Sequence, residues 1–166
     1  MNPTSMLVGF RKITRRNGLF QEHVHDAYRA KGKLKEPSAC ACGAIYLKGR
    51  WQWLEAPDGA YRTVCPACQR THDHFPSGFL TMKGEFFREH HDEIMCLVRN
   101  REQRERQEHP LKRIMAVEES EDSTLVTTTD IHLARGIGEA LQRAYKGKLE
   151  FYYNQGQNLL RVCWSH

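Results

Sequence analysis

Four cysteines in two close pairs carry the most legible chemistry of the chain: Cys40-Ala-Cys42, followed by Gly43, and Cys65-Pro-Ala-Cys68. Thiolates are soft ligands, and a tetrahedral zinc ion takes four of them, two from each of two tight turns. The spacing predicts a structural Zn2+ site with Cys40, Cys42, Cys65 and Cys68 as ligands. The first pair is C-x-C rather than C-x-x-C and needs a tighter turn, which Gly43 permits, while Pro66 stiffens the second turn. Four thiolates leave no open coordination position, so the expected ion is a scaffold and not a Lewis acid. Cys96 and Cys163 sit among apolar neighbours and read as buried structural thiols.

Other residue types capable of chemistry are less well arranged. His72, Asp73 and His74 could serve a metal-dependent hydrolase, but they fall in the stretch 69–78, which reads as a polar loop from Pro76 and Gly78. His23 and His25 lie on a short amphipathic segment and read as surface groups. His90-His91-Asp92-Glu93 lacks the H-E-x-x-H order that puts two ligands on one helical face. Gly32-Lys33 and Gly147-Lys148 lack the upstream glycine and following hydroxyl of a phosphate-binding loop. No catalytic residue is assigned, and the chain reads as non-enzymatic.

The 166 residues carry a formal net charge of +5, with 27% charged and 40% hydrophobic side chains, ordinary values for a soluble protein. The excess charge is local. Between positions 11 and 35, Arg11, Lys12, Arg15, Arg16, Arg29, Lys31, Lys33 and Lys35 face only Glu22 and Asp26. Such a stretch is what a polyanion-binding protein presents to phosphates. Nothing approaches the length of a membrane span, and residues 1–20 hold too short an apolar run for a secretory signal. The reading is therefore cytoplasmic, where thiols stay reduced.

The elements that must position these groups follow from hydrophobic period. Residues 1–36 form a basic N-terminal arm with a weak helical pattern over 19–30. Residues 37–80 read as a zinc ribbon: a strand-rich run over 45–54, a turn at Pro57-Asp58-Gly59 and a strand over 61–64 make a β-hairpin between two cysteine knuckles. Trp51 and Trp53 are two apart and share one face, forming either a seam with the next element or a stacking platform. A connecting helix is predicted over 84–109, apolar on one face in its first half and polar all round after Arg99, with Glu102 and Arg106 as an internal pair. Residues 110–166 read as a ββαββ unit: strands at 113–119 and 124–128, a helix capped by Thr129 or Asp130, and strands at 149–153 and 159–164. That arrangement lays one helix on a four-stranded antiparallel sheet, in an α+β fold whose other sheet face is open.

Several stretches together resemble a family of short, largely uncharacterised bacterial zinc-ribbon proteins. These are Glu36-Pro37, Cys42-Gly-Ala-Ile-Tyr46, Gly49-Arg-Trp-Gln-Trp53, Cys65-Pro-Ala-Cys-Gln-Arg70 with Pro76 and Gly78, His109-Pro-Leu-Lys-Arg-Ile-Met115, and Val126-Thr-Thr-Thr-Asp-Ile-His-Leu-Ala134. The resemblance covers most of the chain from about position 26. Members of the family usually carry C-x-x-C-G at the first knuckle, where this chain has Ala39 and then Cys40. A fainter likeness, over the ribbon and the segment after it, is to the archaeal and eukaryotic adaptor that binds the large ribosomal subunit during export and maturation; it implies ribosome or RNA association.

The function expected from these features is binding of structured RNA, most naturally on the ribosome. Arg11, Lys12, Arg15, Arg16, Lys31, Lys33, Lys35, Lys48, Arg50 and Arg70 would meet phosphates, and Trp51 or Trp53 would stack on bases. No basic recognition helix emerges from the pattern, which favours RNA over duplex DNA. The alternative is a zinc-stabilised adaptor whose partner is another protein, and a metal-dependent hydrolase stands behind both.

Overall fold

The computed structural model describes residues 8–16 and 26–166. Its core is a six-stranded sheet built from β1 (Arg11–Ile13), β6 (Gly78–Lys83), β7 (Ile114–Glu119), β8 (Ser123–Thr128), β9 (Lys148–Asn154) and β10 (Leu159–Ser165). The strand order is β1-β9-β10-β6-β8-β7. All neighbours are antiparallel except β10 and β6, which run parallel from Leu160 opposite Gly78 to Ser165 opposite Lys83. A second sheet, in the order β4-β3-β2-β5, contains β2 (Ser38–Ala39), β3 (Ala44–Leu47), β4 (Arg50–Trp53) and β5 (Tyr61–Arg62).

The core follows from the period of the strands. Leu80, Met82, Val126, Phe151, Tyr153, Leu160, Val162 and Trp164 alternate along their strands and are buried with Ile94 and Val98 of α3 (His91–Glu108) and Ile137 and Leu141 of α4 (Ile131–Tyr145). Burying each large apolar side chain contributes about 1.5–3 kcal/mol. Helix α4 starts on Asp130, whose carboxylate accepts from the Leu133 N–H at 2.9 Å. It lies tight on β10 because Gly138 has no side chain, and a Cβ there would stand 2.6 Å from Val162 Cγ1.

Three expectations about organisation are corrected. The C-terminal sheet is not a four-stranded unit of residues 110–166, because β6 separates β8 from β10 and β1 adds an edge beyond β9. Residues 11–16 are accordingly docked on the core: Lys12 Nζ is 2.5 Å from Glu150 Oε1, and Arg135 donates to the Arg15 carbonyl. The connecting helix is broken at His90 into α2 (Glu85–Glu89) and α3, with His90 stacked on Phe86 at a ring separation of 4.0 Å. The helical pattern over 19–30 falls mostly outside the described residues, and its described end, 26–30, is turn and bend.

Candidate metal centre

The small sheet differs from the expected hairpin over 45–64. The run read as one strand turns back at Lys48 and Gly49, both with positive φ (54° and 77°), so that Leu47 pairs with Arg50 and Ala44 with Trp53. This two-residue connection matches the right-handed twist of a hairpin. Glu36 fastens it from outside: its carboxylate accepts from the Lys48 N–H at 2.8 Å and the Gly49 N–H at 3.1 Å. Strand β5 then runs parallel to β2, the strand that leads into Cys40.

The two cysteine pairs meet on this frame. At the first, the Cys40 N–H bonds to the Ala44 carbonyl at 2.9 Å and the Gly43 N–H to the Cys40 carbonyl at 3.0 Å, closing a tight turn with Gly43 at φ 98°. The second pair sits where α1 (Pro66–His72) begins, with Cys65 as its N-cap, Pro66 in the first turn and the Cys68 N–H donating to Cys65 Sγ at 3.4 Å. Residues 69–72, expected in a loop, are therefore helical.

All four sulfurs lie within 4.8 Å of one another, and no disulfide joins them. The Cys40–Cys68 and Cys42–Cys65 separations are 3.7 and 3.8 Å. A tetrahedron with metal–sulfur arms of about 2.3 Å has edges of about 3.8 Å, so the four residues fit a tetrathiolate-bound metal ion. That ion would supply two positive charges at the centre of the knuckles.

A residue that the sequence pattern did not single out completes the site. Arg113 is buried, 9% exposed, and donates from Nη2 to Cys42 Sγ at 3.1 Å and from Nη1 to Cys68 Sγ at 3.3 Å. Its Nε is held by the Pro110 carbonyl at 2.7 Å, and its backbone N–H by Thr129 Oγ1 at 2.9 Å. Burial works against the charge, yet the thiols of Cys42 and Cys68 raise the guanidinium pKa above its ordinary value. In the same way burial opposes the Cys42 thiolate, but the Ala44 N–H and Arg113 hold its pKa down to about 6. Burial pushes Cys65 and Cys68 up. Arg113 supplies one positive charge to the cluster, and a tetrathiolate set would draw the rest from the metal. The only signal in sequence was the presence of Arg113 inside the stretch 109–115.

Trp53 forms part of the same wall. Its Nε1 donates to the Arg106 carbonyl at 2.6 Å, and the Arg113 guanidinium lies 5.8 Å from its ring centre, placing it at the seam between the small sheet and α3. Trp51 is half-buried against Tyr46, 5.4 Å between ring centres, and lines a cleft of about 790 Å³ with Tyr28, Arg29 and Asp130.

The sequence-predicted basic residues separate into distinct groups. Lys31, Lys33, Lys35, Lys48 and Arg50 are exposed around the small sheet, whereas Arg11, Lys12, Arg15 and Arg16 lie at the β1 edge of the large sheet, away from the β7 edge that Arg113 precedes. Arg70 leaves the set. It is 3% exposed, bonded to Asp26 Oδ1 at 2.8 Å and stacked over Tyr28 at 4.5 Å, so its charge stabilises the fold in place of meeting phosphate. His72, Asp73 and His74 are exposed, and Asp73 is occupied by His72 (3.0 Å) and Tyr28 (2.9 Å), whose hydrogen bonds hold its pKa low. Cys96 is exposed on α3 rather than buried, because the polar side of that helix turns it outward, and Cys163 is half-buried. Among the described residues no helix is long and apolar enough to cross a membrane. Comparison with protein-family models, curated proteins and solved structures gave no match.

Proposed function

We propose that the chain is a non-enzymatic zinc-ribbon protein that binds structured RNA in the cytoplasm, with the ribosome as its main site of action. Zinc is the ion we assign, because closed four-thiolate tetrahedra are its structural sites. The ion and Arg113 hold the knuckles, and the β3–β4 hairpin is the part that faces the ligand.

The observation that carries this reading is the contact of Glu36 with Lys48 and Gly49. By binding both turn amides it brings the basic stretch 31–35 against the hairpin tip. Lys31, Lys33, Lys35, Lys48 and Arg50 become neighbours of one surface, and none has an ion-pair partner among the described residues. The Glu36 carboxylate is engaged by those two amides, and its single negative charge stands against five cations. Unpaired surface cations on a rigid frame suit a phosphate backbone, and rigidity suits a folded RNA whose phosphates are already placed.

Ribosome co-sedimentation at low salt tests it, using the zinc-loaded protein and a variant carrying Lys33→Glu, Lys48→Glu and Arg50→Glu. We expect the wild type to sediment with ribosomes and the variant to stay in the supernatant. Equal sedimentation of the two overturns the reading. Association that survives high salt and nuclease points instead to the protein-adaptor alternative.

A further inference from the structure

The large sheet has a second face, and its composition is unlike that of a surface left to water. Phe79, Thr81, Leu125, Tyr152, Arg161 and Cys163 alternate with the core-facing residues, point away from α4, and are half-buried. Strand register aligns one row across the sheet: Lys12 opposite Tyr152, Tyr152 opposite Arg161, Arg161 opposite Phe79, and Phe79 opposite Thr127. Cation and ring therefore alternate in one line, at the spacing of adjacent strands, about 4.8 Å.

Arg161 is the centre of that row. Its guanidinium carbon lies 4.4 Å from the Phe79 ring centre and 5.2 Å from that of Phe10, so two aromatic rings flank it. Among the described residues its side chain has no ion pair and no hydrogen bond, and its Nε is buried without an acceptor. Burial lowers its pKa, with no carboxylate to offset the cost. Among the described residues the acidic groups of this face are committed or distant: Glu150 is bound to Lys12 and Lys148, and Glu118 stands on the edge strand β7, opposite Leu125. A guanidinium flanked by two rings and without an anion among the described residues is complementary to a phosphate, and the neighbouring Tyr152 offers a π-face to a base.

We propose that this face binds an unpaired stretch of RNA, with Arg161 on a phosphate and Tyr152 stacked on a base. The inference rests on the RNA-binding reading above and assigns to the sheet the single-stranded part of the ligand, leaving its folded part to the ribbon. The strand would run from the Lys12 edge toward Phe79, across the centre of the sheet. Stacking is indifferent to base identity, so the expected preference is for single strand over duplex and not for a sequence.

The test is fluorescence anisotropy of the zinc-loaded full chain with a labelled RNA single strand of about twelve nucleotides, within the span such a module covers. The same strand annealed to its complement serves as the comparison. We expect single strand to bind more tightly than duplex, and Tyr152→Leu and Arg161→Gln each to weaken it by about tenfold, with ribosome sedimentation through the ribbon retained. Photocrosslinking of a 4-thiouridine strand to the wild type supplies a readout independent of variant folding, expected at Tyr152 or Phe79. Crosslinks confined to the ribbon, or unchanged affinity in both variants, overturn the sheet proposal and leave the ribbon reading standing. Wild type that binds ribosomes but no single strand does the same. Competition by polyglutamate as strong as by RNA identifies an acidic protein segment as the occupant and also overturns it. Loss of sedimentation and of strand binding alike in the wild type removes both readings.

Discussion

Arg113 Nη2 stands 3.1 Å from Cys42 Sγ, across 71 positions of sequence. That contact joins the two sheets at the metal centre, since Arg113 is also held by Thr129 at the end of β8, whose Oγ1 accepts its N–H at 2.9 Å. The thiol cluster is thus fixed both by the small sheet and by the large one.

Replacing Arg113 by Met keeps much of its volume and removes its donors to Cys42 and Cys68. Groups that orient metal ligands from behind are worth about 10–100-fold in metal affinity. Arg113→Met is expected to lose zinc to a chromogenic chelator at a concentration lower by that factor, with Arg113→Lys intermediate, because a single ammonium cannot span two sulfurs. Equal chelator titrations of wild type and Arg113→Met would show that the guanidinium is incidental.

Removal of the metal is expected to open the ribbon and spare the core. The buried cluster of the small sheet consists chiefly of the cysteines and their immediate neighbours, whereas Leu80, Val126, Leu160 and Val162 belong to a cluster of their own. Hydrogen exchange after chelation should show lost protection at 44–53 with protection retained at 78–83 and 159–165. Simultaneous loss in both would mean that the two sheets unfold as one unit.

Glu36→Ala removes the acceptor of two backbone amides at the hairpin turn. A hydrogen bond to a charged group is worth about 1.5–3 kcal/mol, and partial exposure places the expected loss near the lower figure. Exchange at the Lys48 and Gly49 amides should rise sharply, while Glu36→Gln, which keeps one acceptor oxygen, recovers part of the protection.

Gly138→Ala sets two effects against each other. Alanine improves helix propensity by about 1 kcal/mol, but its Cβ would meet Val162 Cγ1 at 2.6 Å and Leu149 Cδ1 at 3.1 Å. Overpacking of this kind costs about 1–3 kcal/mol, and the contact lies between two rigid elements, so a net loss of stability is expected in chemical denaturation.

Glu105 accepts from Lys112 at 3.0 Å and pairs with Arg101 at 2.9 Å. Burial opposes its charge, but Lys112 and Arg101 prevail and lower its pKa. A carboxyl depressed in the folded state contributes stability above its unfolded pKa, about 4.3, and loses that contribution as pH falls through the folded value. Stability curves of wild type and Glu105→Gln should stand furthest apart above about pH 4.3 and draw together as pH falls below it. A constant offset across that range would assign the loss to packing.

The cysteine pairs and their metal-binding geometry were legible in the chain because ligand spacing is local: Cys40 and Cys42 share one turn, and Cys65 and Cys68 share another. The strands over 114–119, 123–128, 148–154 and 159–165, with the helix capped by Asp130, were legible for the same reason, since period and capping act within a few residues. Tertiary structure alone decided which strands are neighbours. Period assigns no strand to residues 78–83, yet they pair with 160–165, some eighty positions away, in an insertion that buries Leu80 and Met82. It also decided the fate of individual charges. Arg70 and Arg113 have the same side chain as Arg50, but Asp26 and the thiols draw the first two inside, while among the described residues no acidic partner claims the third. Pairing energy depends on which groups meet in space, and composition records only which groups are present.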